Sequence, residues 1–459
     1  MTINLSQFKN TKIYFFITIL TFVIYGNSIN NEYSLDDNIV VDGNVMVANG
    51  IKAIPKIFQT RYATGKQEYE YRPLVTSSFA IEKQFFSQLP ESQTIKDKKR
   101  KDKLTQANIS HFINVLLYAF TCILLYYFLS KLLHNYNIII PLITTLIFLL
   151  HPIHTEVVAS IKNRDEIFVL IGMLLSLLWF LKYSETEQLK YLIYGLFATF
   201  FALLSKPNSL MIFGLAPVIM YFTKANYKKI AIVLFSLLLI YVAFVLMRKG
   251  LLTGKANRNL LFFENPLFYQ GTWLDRITVG LYCSWFYLHM LIYPLEMSFY
   301  YGYNQIPMAT FGNWQVWVAI IIFIPMGVFG LIRFFKRDVI GLGIILWLGV
   351  MLGVINILFP IVGIVADRFT YAFSVGFCLV LSVLMLKWFK IDTSINVINV
   401  KIPSGFLMIF LTISILYSTR TIARNSDWHD YITLYTTDIE HLTESAKAHA
   451  LLANTLYPM

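Results

Sequence analysis

Charged residues, cysteine and glycine-rich loops are all scarce in this chain, and each shortage excludes a class of protein. Asp, Glu, Lys and Arg make up 14% of the 459 residues, whereas 57% are hydrophobic, well above the roughly 45–50% apolar content of soluble domains. The three cysteines, Cys122, Cys283 and Cys378, lie in apolar runs, which argues against a disulfide framework. No glycine-rich phosphate loop follows a strand, so no nucleotide site of that kind is expected. The composition predicts an integral membrane protein.

The net charge of +12 at pH 7 does not indicate a nucleic-acid partner. Basic residues cluster where apolar runs end, at residues 9–12, 131, 182–190, 224–229, 333–337 and 387–401. Short cytoplasmic loops of membrane proteins carry such an excess of Lys and Arg. The charge therefore predicts the orientation of the chain in the membrane, and no nucleic-acid partner is expected.

Twelve apolar runs approach the length of about 20 residues that a helix needs to cross a bilayer. They are residues 13–29, 112–130, 138–153, 167–182, 189–204, 208–223, 229–247, 276–294, 315–334, 339–359, 367–389 and 402–420. The basic N-terminus is expected in the cytoplasm. The basic loops at 333–337 and 387–401 are also expected there, which requires the segment after 421 to lie outside. The chain must therefore cross the membrane an odd number of times. The run 276–294 is the doubtful one. We predict an all-α integral membrane protein, a multi-span helical bundle of about 11 spans, with 13 as the alternative.

A long first outer loop, residues 30–108, follows the first span and lies on the non-cytoplasmic side. Within it, residues 51–58 and 74–86 place apolar side chains at helical spacing, which predicts helices lying in the membrane interface. The charged block 96–103 is interpreted as a solvated run near anionic lipid head groups.

Two domains are expected: a membrane domain of residues 1–422 and an outer C-terminal segment of residues 423–459. The stretch 445–456 has small residues and leucines at the spacing of the first helix of a helical-hairpin repeat. One such helix cannot bury its own face. Either the chain is truncated from a longer protein or this helix docks on the membrane domain, and truncation is the preferred interpretation.

Asp36 and Asp37 are the first candidates for chemistry, because they open the first outer loop. Two adjacent carboxylates at the mouth of a membrane bundle are well placed to accept a proton from a substrate. The structural alternative is a helix N-cap followed by a solvated aspartate, and residue type alone favours it.

The loop at residues 151–166 carries the second set, with two histidines, three carboxylates, a lysine and an arginine. Ionisable groups between membrane helices are functional candidates. His151 and His154 are three apart, but Pro152 disturbs the helix and no zinc signature fits. A contact with a helix dipole is the alternative for His151.

Three cations are predicted on the same face: Arg72, Lys206 and Arg368. A charge beside a long apolar run is costly unless it is paired or hydrated, and a phosphate is a suitable partner for an arginine. The alternatives are pairing with a neighbouring carboxylate such as Asp367, or reaching toward lipid head groups.

Taken together, these stretches resemble the family of transmembrane O-mannosyltransferases that carry tetratricopeptide repeats, within the larger class of multi-span glycosyltransferases that use polyprenyl-phosphate sugars. The most specific match is the string His-Pro-Ile-His-Thr-Glu at residues 151–156. The other matching stretches are residues 36–44, 71–74, 111–114, 157–159, 163–166, 205–206, 366–376, 424–428 and 445–447.

The resemblance implies inverting transfer of a sugar, mannose or another hexose, from a polyprenyl phosphate to an acceptor hydroxyl, that of a protein Ser or Thr. It implies that Asp36 or Asp37, with a slight preference for Asp37, is the base. Glu156 would assist. The residues implied in binding the phosphate or the sugar are Arg72, His151, His154, Arg164, Asp165, Glu166, Lys206, Asp367 and Arg368.

The resemblance leaves the cofactor open, because only some relatives bind a divalent metal. If a metal is bound here, Asp37 and Glu156 would be its ligands. The expected location is a bacterial inner membrane with the site facing the periplasm, or the endoplasmic reticulum membrane with a lumenal site in a eukaryote. The alternatives are a transporter or lipid flippase, for which no internal repeat is visible, and a noncatalytic scaffold for repeats.

Overall fold

A computed structural model of the protein describes residues 2–4, 10–62, 70–86, 95–252, 261–394 and 399–457, without the side chains of residues 2–4, 95–102 and 399. Most side chains of the charged block 96–103 therefore lie outside the described residues. The described chain is almost entirely helical, which confirms the predicted all-α membrane fold.

Nineteen α-helices and two short strands make up the regular structure of the described residues. The helices are α1 (Asn10–Tyr25), α2 (Val45–Ala48), α3 (Ile54–Ile57), α4 (Pro73–Phe86), α5 (Ile95–Leu132), α6 (Ile139–Leu150), α7 (Thr155–Ala159), α8 (Arg164–Thr186), α9 (Leu189–Ser205), α10 (Ile212–Phe222), α11 (Tyr227–Leu251), α12 (Leu267–Gln270), α13 (Trp273–Ile292), α14 (Trp314–Phe335), α15 (Val339–Met351), α16 (Thr370–Trp388), α17 (Ser404–Asp427), α18 (Tyr431–Asp438) and α19 (Ala446–Leu456). The strands β1 (Thr2–Asn4) and β2 (Asn399–Lys401) pair antiparallel.

Each of the twelve predicted apolar runs contains one helix. The helix falls furthest short of its run at 339–359, where α15 already ends at Met351. Beyond it Asn356 adopts a left-handed conformation with φ of 65°. Its side chain accepts a hydrogen bond from the Ile361 N–H and donates one to the Ile364 carbonyl, both at 2.8 Å. These bonds satisfy a turn in place of a helix, which apolar composition could not predict.

Seven helices of the described chain are long and apolar enough to cross a membrane. The pair Ile139–Leu150 and Pro152–Ala159, bent by 59°, forms one more candidate, and three shorter apolar helices are Leu189–Ser205, Pro207–Phe222 and Val339–Met351. Taken as one crossing each, these would make eleven. The doubtful run, α13, is not among them. The span count stays a prediction, since length and composition do not show which helices cross.

Helices α15 and α16 approach each other closely because glycines face one another between them. A Cβ on Gly376 would lie 2.3 Å from the Trp347 amide nitrogen, and one on Gly343 would lie 2.8 Å from Val380. Small residues allow such approach in membrane proteins, where van der Waals packing drives helix association.

Three of the segments predicted to be cytoplasmic meet at one end of the bundle. The N-terminal strand β1 pairs with β2, which precedes α17. The Asn137 N–H donates to the Thr393 carbonyl at 2.8 Å, which joins the connection after α5 to the one after α16. This grouping agrees with a single basic side of the membrane.

The first outer loop folds around a small hydrophobic core of its own and contains helices. Tyr33, Val41 and Phe79 pack there with Ile161, which precedes α8. Helices α3 and α4 lie in the two stretches predicted as helical. Helix α5 already begins at Ile95, inside the predicted loop, so the end of the loop at 108 stays a prediction. Lys, Arg and Gln form helices well, so the helix continues out of its apolar part.

The C-terminal segment docks on the membrane helices. Helix α17 continues past the predicted boundary at 422, and its Arg424 forms a buried ion pair with Asp438 of α18. Asp438 also accepts a hydrogen bond from the Phe299 N–H at 2.7 Å. Leu434 and Ala448 are buried in the main core. The division into two domains and the start of a tetratricopeptide-like repeat both stay predictions.

We expect Asp438→Asn to destabilise the protein by about 3–5 kcal/mol, because breaking a buried ion pair leaves an uncompensated charge. Thermal unfolding of the detergent-solubilised chain measures this. Asp427→Asn is the matched control, since Asp427 also lies near Arg424, at 3.3 Å, but is partly exposed. Equal, small effects of the two changes would contradict a dependence of the docking on the Arg424–Asp438 pair.

Candidate active site

Asp37 stabilises the turn that leads from the first span into the outer loop. The Asp37 N–H donates to the Ser34 carbonyl at 3.0 Å, and Asp37 Oδ2 accepts from the Ser34 N–H at 3.1 Å. Leu35, between them, adopts a left-handed φ of 47°. The Asp37 side chain thus accepts from a residue that precedes it in the chain and forms no capping hydrogen bond with the helical turn that follows.

The other oxygen of Asp37 joins this turn to the loop before α8. Asp37 Oδ1 accepts from the Lys162 backbone N–H at 2.7 Å and from the Ser160 hydroxyl at 3.4 Å. The side chain is fully buried. Burial raises the pKa of the Asp37 carboxyl to about 7, against the opposing effect of the hydrogen bonds from Lys162 and Ser34.

Asp36 has a different environment, although it is the neighbouring residue. Its side chain is 46% exposed and lies 3.3 Å from the Lys162 ammonium nitrogen. Partial burial would raise the pKa of Asp36, but the positive charges of Lys162 and Arg368 outweigh it and hold the pKa below its ordinary value. The Asp36 carboxylate is therefore stabilised in its charged form and is accessible to solvent.

Glu156 and Arg368 form the second part of the site. Glu156 Oε1 accepts from Arg368 Nη1 at 2.5 Å, and Oε2 accepts from the Arg368 backbone N–H at 2.8 Å. The Asn163 amide also donates to Oε1 at 3.4 Å. The neighbouring Asp367 is buried and accepts a hydrogen bond from the Tyr301 hydroxyl at 2.8 Å. The alternative of pairing with a carboxylate is thus observed for Arg368, but its partner is Glu156 and not the adjacent Asp367.

Lys206 and Arg72 bind the two carboxylates that begin α8. Lys206 Nζ lies 3.3 Å from Asp165 and 2.6 Å from Glu166. Arg72 pairs with Asp165 and, at 2.6 Å, with Glu70. The Lys206 side chain is only 6% exposed. Its charge is thus neutralised inside the protein, which lowers the cost of placing it beside an apolar helix.

Arg164 is enclosed instead of facing the site. It pairs with Glu82, and Nε donates to the Asn114 side chain at 2.7 Å. Its remaining N–H groups donate to Glu82, the Ser78 hydroxyl and the Ser110 carbonyl. All five donors of the guanidinium are therefore used, so the expected role of Arg164 in binding a phosphate is revised to that of positioning α4 and α5 against α8.

His151 and His154 are also occupied by the protein and fully buried. His151 Nε2 lies 2.9 Å from the Leu291 carbonyl, while its Nδ1 accepts from the Ile153 N–H at 3.3 Å. The two ring nitrogens of His154 contact the Tyr118 and Ser374 hydroxyls at 3.0 and 2.9 Å. Both rings pack between helices, and their expected contact with substrate is revised to a structural role.

The carboxylates expected to hold a divalent metal do not fit one in this arrangement. Both oxygens of Asp37 accept hydrogen bonds from the protein, and both oxygens of Glu156 are engaged by Arg368. Within the described residues, no group of three or more His, Cys, Asp or Glu side chains is arranged to hold a metal ion. No step of the proposed mechanism is therefore assigned to a metal.

Lys162 is the main residue that sequence reasoning missed. It contacts both aspartates, through its backbone and its side chain. Glu70, Asn208 and Tyr301 were missed as well, although each touches a predicted site residue. Lys162 lies inside the ionisable loop 151–166, which was a signal. Its partners lie about 125 positions away along the chain, so only the fold could identify them.

No model of a known protein family matches the chain. Among curated proteins, the protein O-mannosyl-transferase F38B6.6 of Caenorhabditis elegans is 22% identical over 449 residues, 95% of this chain and 59% of the relative. The human protein O-mannosyl-transferase TMTC1 is 23% identical over 498 aligned positions, 94% of this chain and 51% of the relative. The resemblance to this O-mannosyltransferase family is confirmed.

The mouse protein O-mannosyl-transferase TMTC1 matches a shorter part, at 27% identity over 222 residues, 44% of this chain. The chain spans between about half and three fifths of the worm and human O-mannosyltransferases. The similarity includes nearly the whole chain, so it is not confined to one motif.

We expect Asp37→Asn to flatten the dependence of stability on pH. The pKa of an aspartate in the unfolded chain is about 3.9, whereas burial raises the pKa of Asp37 in the folded chain to about 7. The folded state binds more protons between these values, so wild-type stability should fall as pH rises through this window and level off above it. Asparagine does not ionise, yet its side-chain oxygen can still accept the Lys162 N–H. Unfolding midpoints measured across this pH range test the prediction.

Asp42→Asn is the control, because Asp42 is a partly exposed carboxylate of the same loop, paired with Lys103 at 2.9 Å. It should retain the wild-type pH dependence. The same slope in wild type and Asp37→Asn would contradict a raised pKa for the buried carboxyl.

Proposed function

We propose that the chain is a multi-pass membrane glycosyltransferase that transfers mannose or another hexose from a polyprenyl phosphate to a protein Ser or Thr hydroxyl, with inversion. Its membrane domain, residues 1–422, would act on the non-cytoplasmic face, in a bacterial inner membrane or, in a eukaryote, the endoplasmic reticulum. Similarity to curated protein O-mannosyl-transferases supports the reaction class. The observation that carries the proposal is the half-exposed Asp36 carboxylate beside Lys162 and Arg368.

Asp36 is a better base than Asp37, which the sequence had slightly favoured. A general base must come within hydrogen-bond reach of the proton that it removes. The Asp36 side chain is 46% exposed, whereas Asp37 is fully buried and its oxygens accept bonds from Ser34 and Lys162. Asp37 would then position the turn on which Asp36 lies.

Arg368 is the best ligand for the donor phosphate. It uses Nη1 and its backbone N–H on Glu156, and its Nε and second terminal nitrogen have no acceptor in the part of the chain that the structure describes. Lys162 adds a second positive charge near Arg368 and Asp36. Lys206 and Arg72 are largely neutralised by their carboxylates, so they would contribute to the field and would contact the phosphate less directly.

In the proposed reaction, sugar transfer forms one bond to the anomeric carbon and breaks another. The acceptor oxygen forms a bond to the anomeric carbon while the bond from that carbon to the phosphate oxygen breaks, and its electron pair goes to the phosphate. The hydroxyl proton goes to the Asp36 carboxylate. Arg368 and Lys162 stabilise the negative charge that develops on the leaving phosphate. Glu156 holds the Arg368 guanidinium in place, and Asp165 and Glu166 hold Lys206.

We expect Asp36→Asn to lower transfer by about 10²–10⁴-fold, the usual contribution of general base catalysis. Asp37→Asn should lower it less, since that residue positions and does not contact the acceptor. The assay measures transfer of mannose from a synthetic polyprenyl-phosphate mannose to a Ser/Thr-containing peptide. Unfolding midpoints close to that of wild type would show that the variants are folded.

Asp42→Asn controls for loss of a carboxylate elsewhere in the loop and should transfer at the wild-type rate. Full activity of Asp36→Asn would refute the base assignment. Absence of transfer by wild type from any lipid-phosphate sugar would instead favour a noncatalytic scaffold.

We expect Lys162→Met to move the acid limb of the pH–rate profile to higher pH. The Lys162 charge is one of those that hold the pKa of Asp36 below its ordinary value, and a base must be deprotonated to act. The Lys162 backbone N–H that bonds to Asp37 is unchanged by this substitution. The measurement is kcat/KM as a function of pH. A lower rate with an unshifted acid limb would contradict this role for Lys162.

A further inference from the structure

A cavity of about 480 Å³ lies where the end of α11 meets the first outer loop. Three cations and two apolar residues line it: Arg61, Arg248, Lys249, Val245 and Leu252. Among the described residues that line it, none is acidic. The lining combines positive charge with an apolar wall, which is the chemistry that an anionic amphiphile requires.

Two of the cations have no partner in the described chain. Neither Arg248 nor Lys249 forms an ion pair or a side-chain hydrogen bond with another described residue. By contrast, the cations of the candidate active site, such as Lys206 and Arg72, bind carboxylates. An unpaired arginine beside a membrane helix is costly unless water or a ligand compensates its charge.

Membrane orientation does not account for these charges either. Helix α11 has basic residues at both ends, Lys228 and Lys229 at the start and Arg248 and Lys249 at the finish. Only one end can be cytoplasmic, and Arg61 of the first outer loop lines the cavity at the second end. The excess of Lys and Arg that sets orientation belongs to cytoplasmic loops, so the cations at this end need another explanation.

Exposed apolar side chains of α11 lie next to the cavity. Leu246 and Val242, just below the cavity on α11, are 63% and 43% exposed. A phosphate lying among the cations would thus leave an attached hydrocarbon chain free to follow the exposed apolar side of the helix. Arginine and lysine are the residues that bind phosphate groups in charge-assisted hydrogen bonds.

We propose that this cavity binds the phosphate group of a membrane lipid, held by Arg248 and Lys249 with Arg61 on the loop side. Phe244, the residue before Val245 of the cavity wall, packs on Tyr71, the residue before Arg72, with ring centroids 6.3 Å apart. A bound lipid would brace α11 against the loop that carries Asp36. The proposal concerns binding alone and does not rest on sugar transfer.

The test is a binding measurement on the whole chain in neutral detergent, by native mass spectrometry. Short-chain phosphatidylglycerol, a short isoprenyl phosphate and inorganic phosphate are titrated separately, with short-chain phosphatidylcholine as the probe of zero net charge. We expect saturable binding of one phosphate lipid, weakened about tenfold or more in the double variant Arg248→Gln, Lys249→Gln, because each change removes a charge-assisted bond. The lipid probe that binds more tightly identifies the source of the phosphate.

The matched control is Lys224→Gln, Lys228→Gln, which removes the same charge at the other end of α11 and should bind as wild type does. Equal loss in both double variants would indicate nonspecific attraction and overturn the proposal. So would unchanged binding in the Arg248, Lys249 variant, or inorganic phosphate binding as tightly as the lipids. Unfolding midpoints confirm that both variants are folded.

Discussion

The buried carboxylate of Asp37 is the contact on which the rest of the candidate site depends. It accepts hydrogen bonds from the turn at Ser34 and from the loop at Ser160 and Lys162. These two segments adjoin different helices, α1 and α8, and the bond from the Lys162 N–H that joins them is 2.7 Å long. Because the bond fixes the Lys162 backbone, it also sets the reach of the Lys162 side chain to Asp36.

Around this contact the site is built from charges that compensate one another. Glu156 binds Arg368, Asp165 and Glu166 bind Lys206, and Asp165 also binds Arg72. Burying an isolated charge costs a large desolvation free energy. Pairing each charge with one of opposite sign offsets part of that cost. Most cations of the site are therefore already paired with carboxylates. By contrast, the Asp36 carboxylate is exposed to solvent, and the Arg368 guanidinium has N–H donors without an acceptor among the described residues. The same logic separates the unpaired Arg248 and Lys249 from the rest.

The C-terminal segment contributes to this arrangement from the other side. The Arg424–Asp438 pair joins α18 to α17, and the bond from the Phe299 N–H joins α18 to the loop after α13. In that loop Tyr301 donates to Asp367, the residue before Arg368. The segment after the last span is therefore in contact with the support of the site, and is not a free tail.

The sequence by itself determined the membrane class, the twelve helices and most of the residues that meet at the site, because apolar runs and ionisable groups between them are local properties of composition. It could not determine where α15 ends or that α5 already begins before the charged block, since Asn356 side-chain bonds and helix propensity override the apolar pattern. Only the tertiary structure separated Asp36 from Asp37, enclosed Arg164, His151 and His154, and revealed Lys162. Those roles depend on burial and on partners far away in the chain, which exist only once the helices are packed.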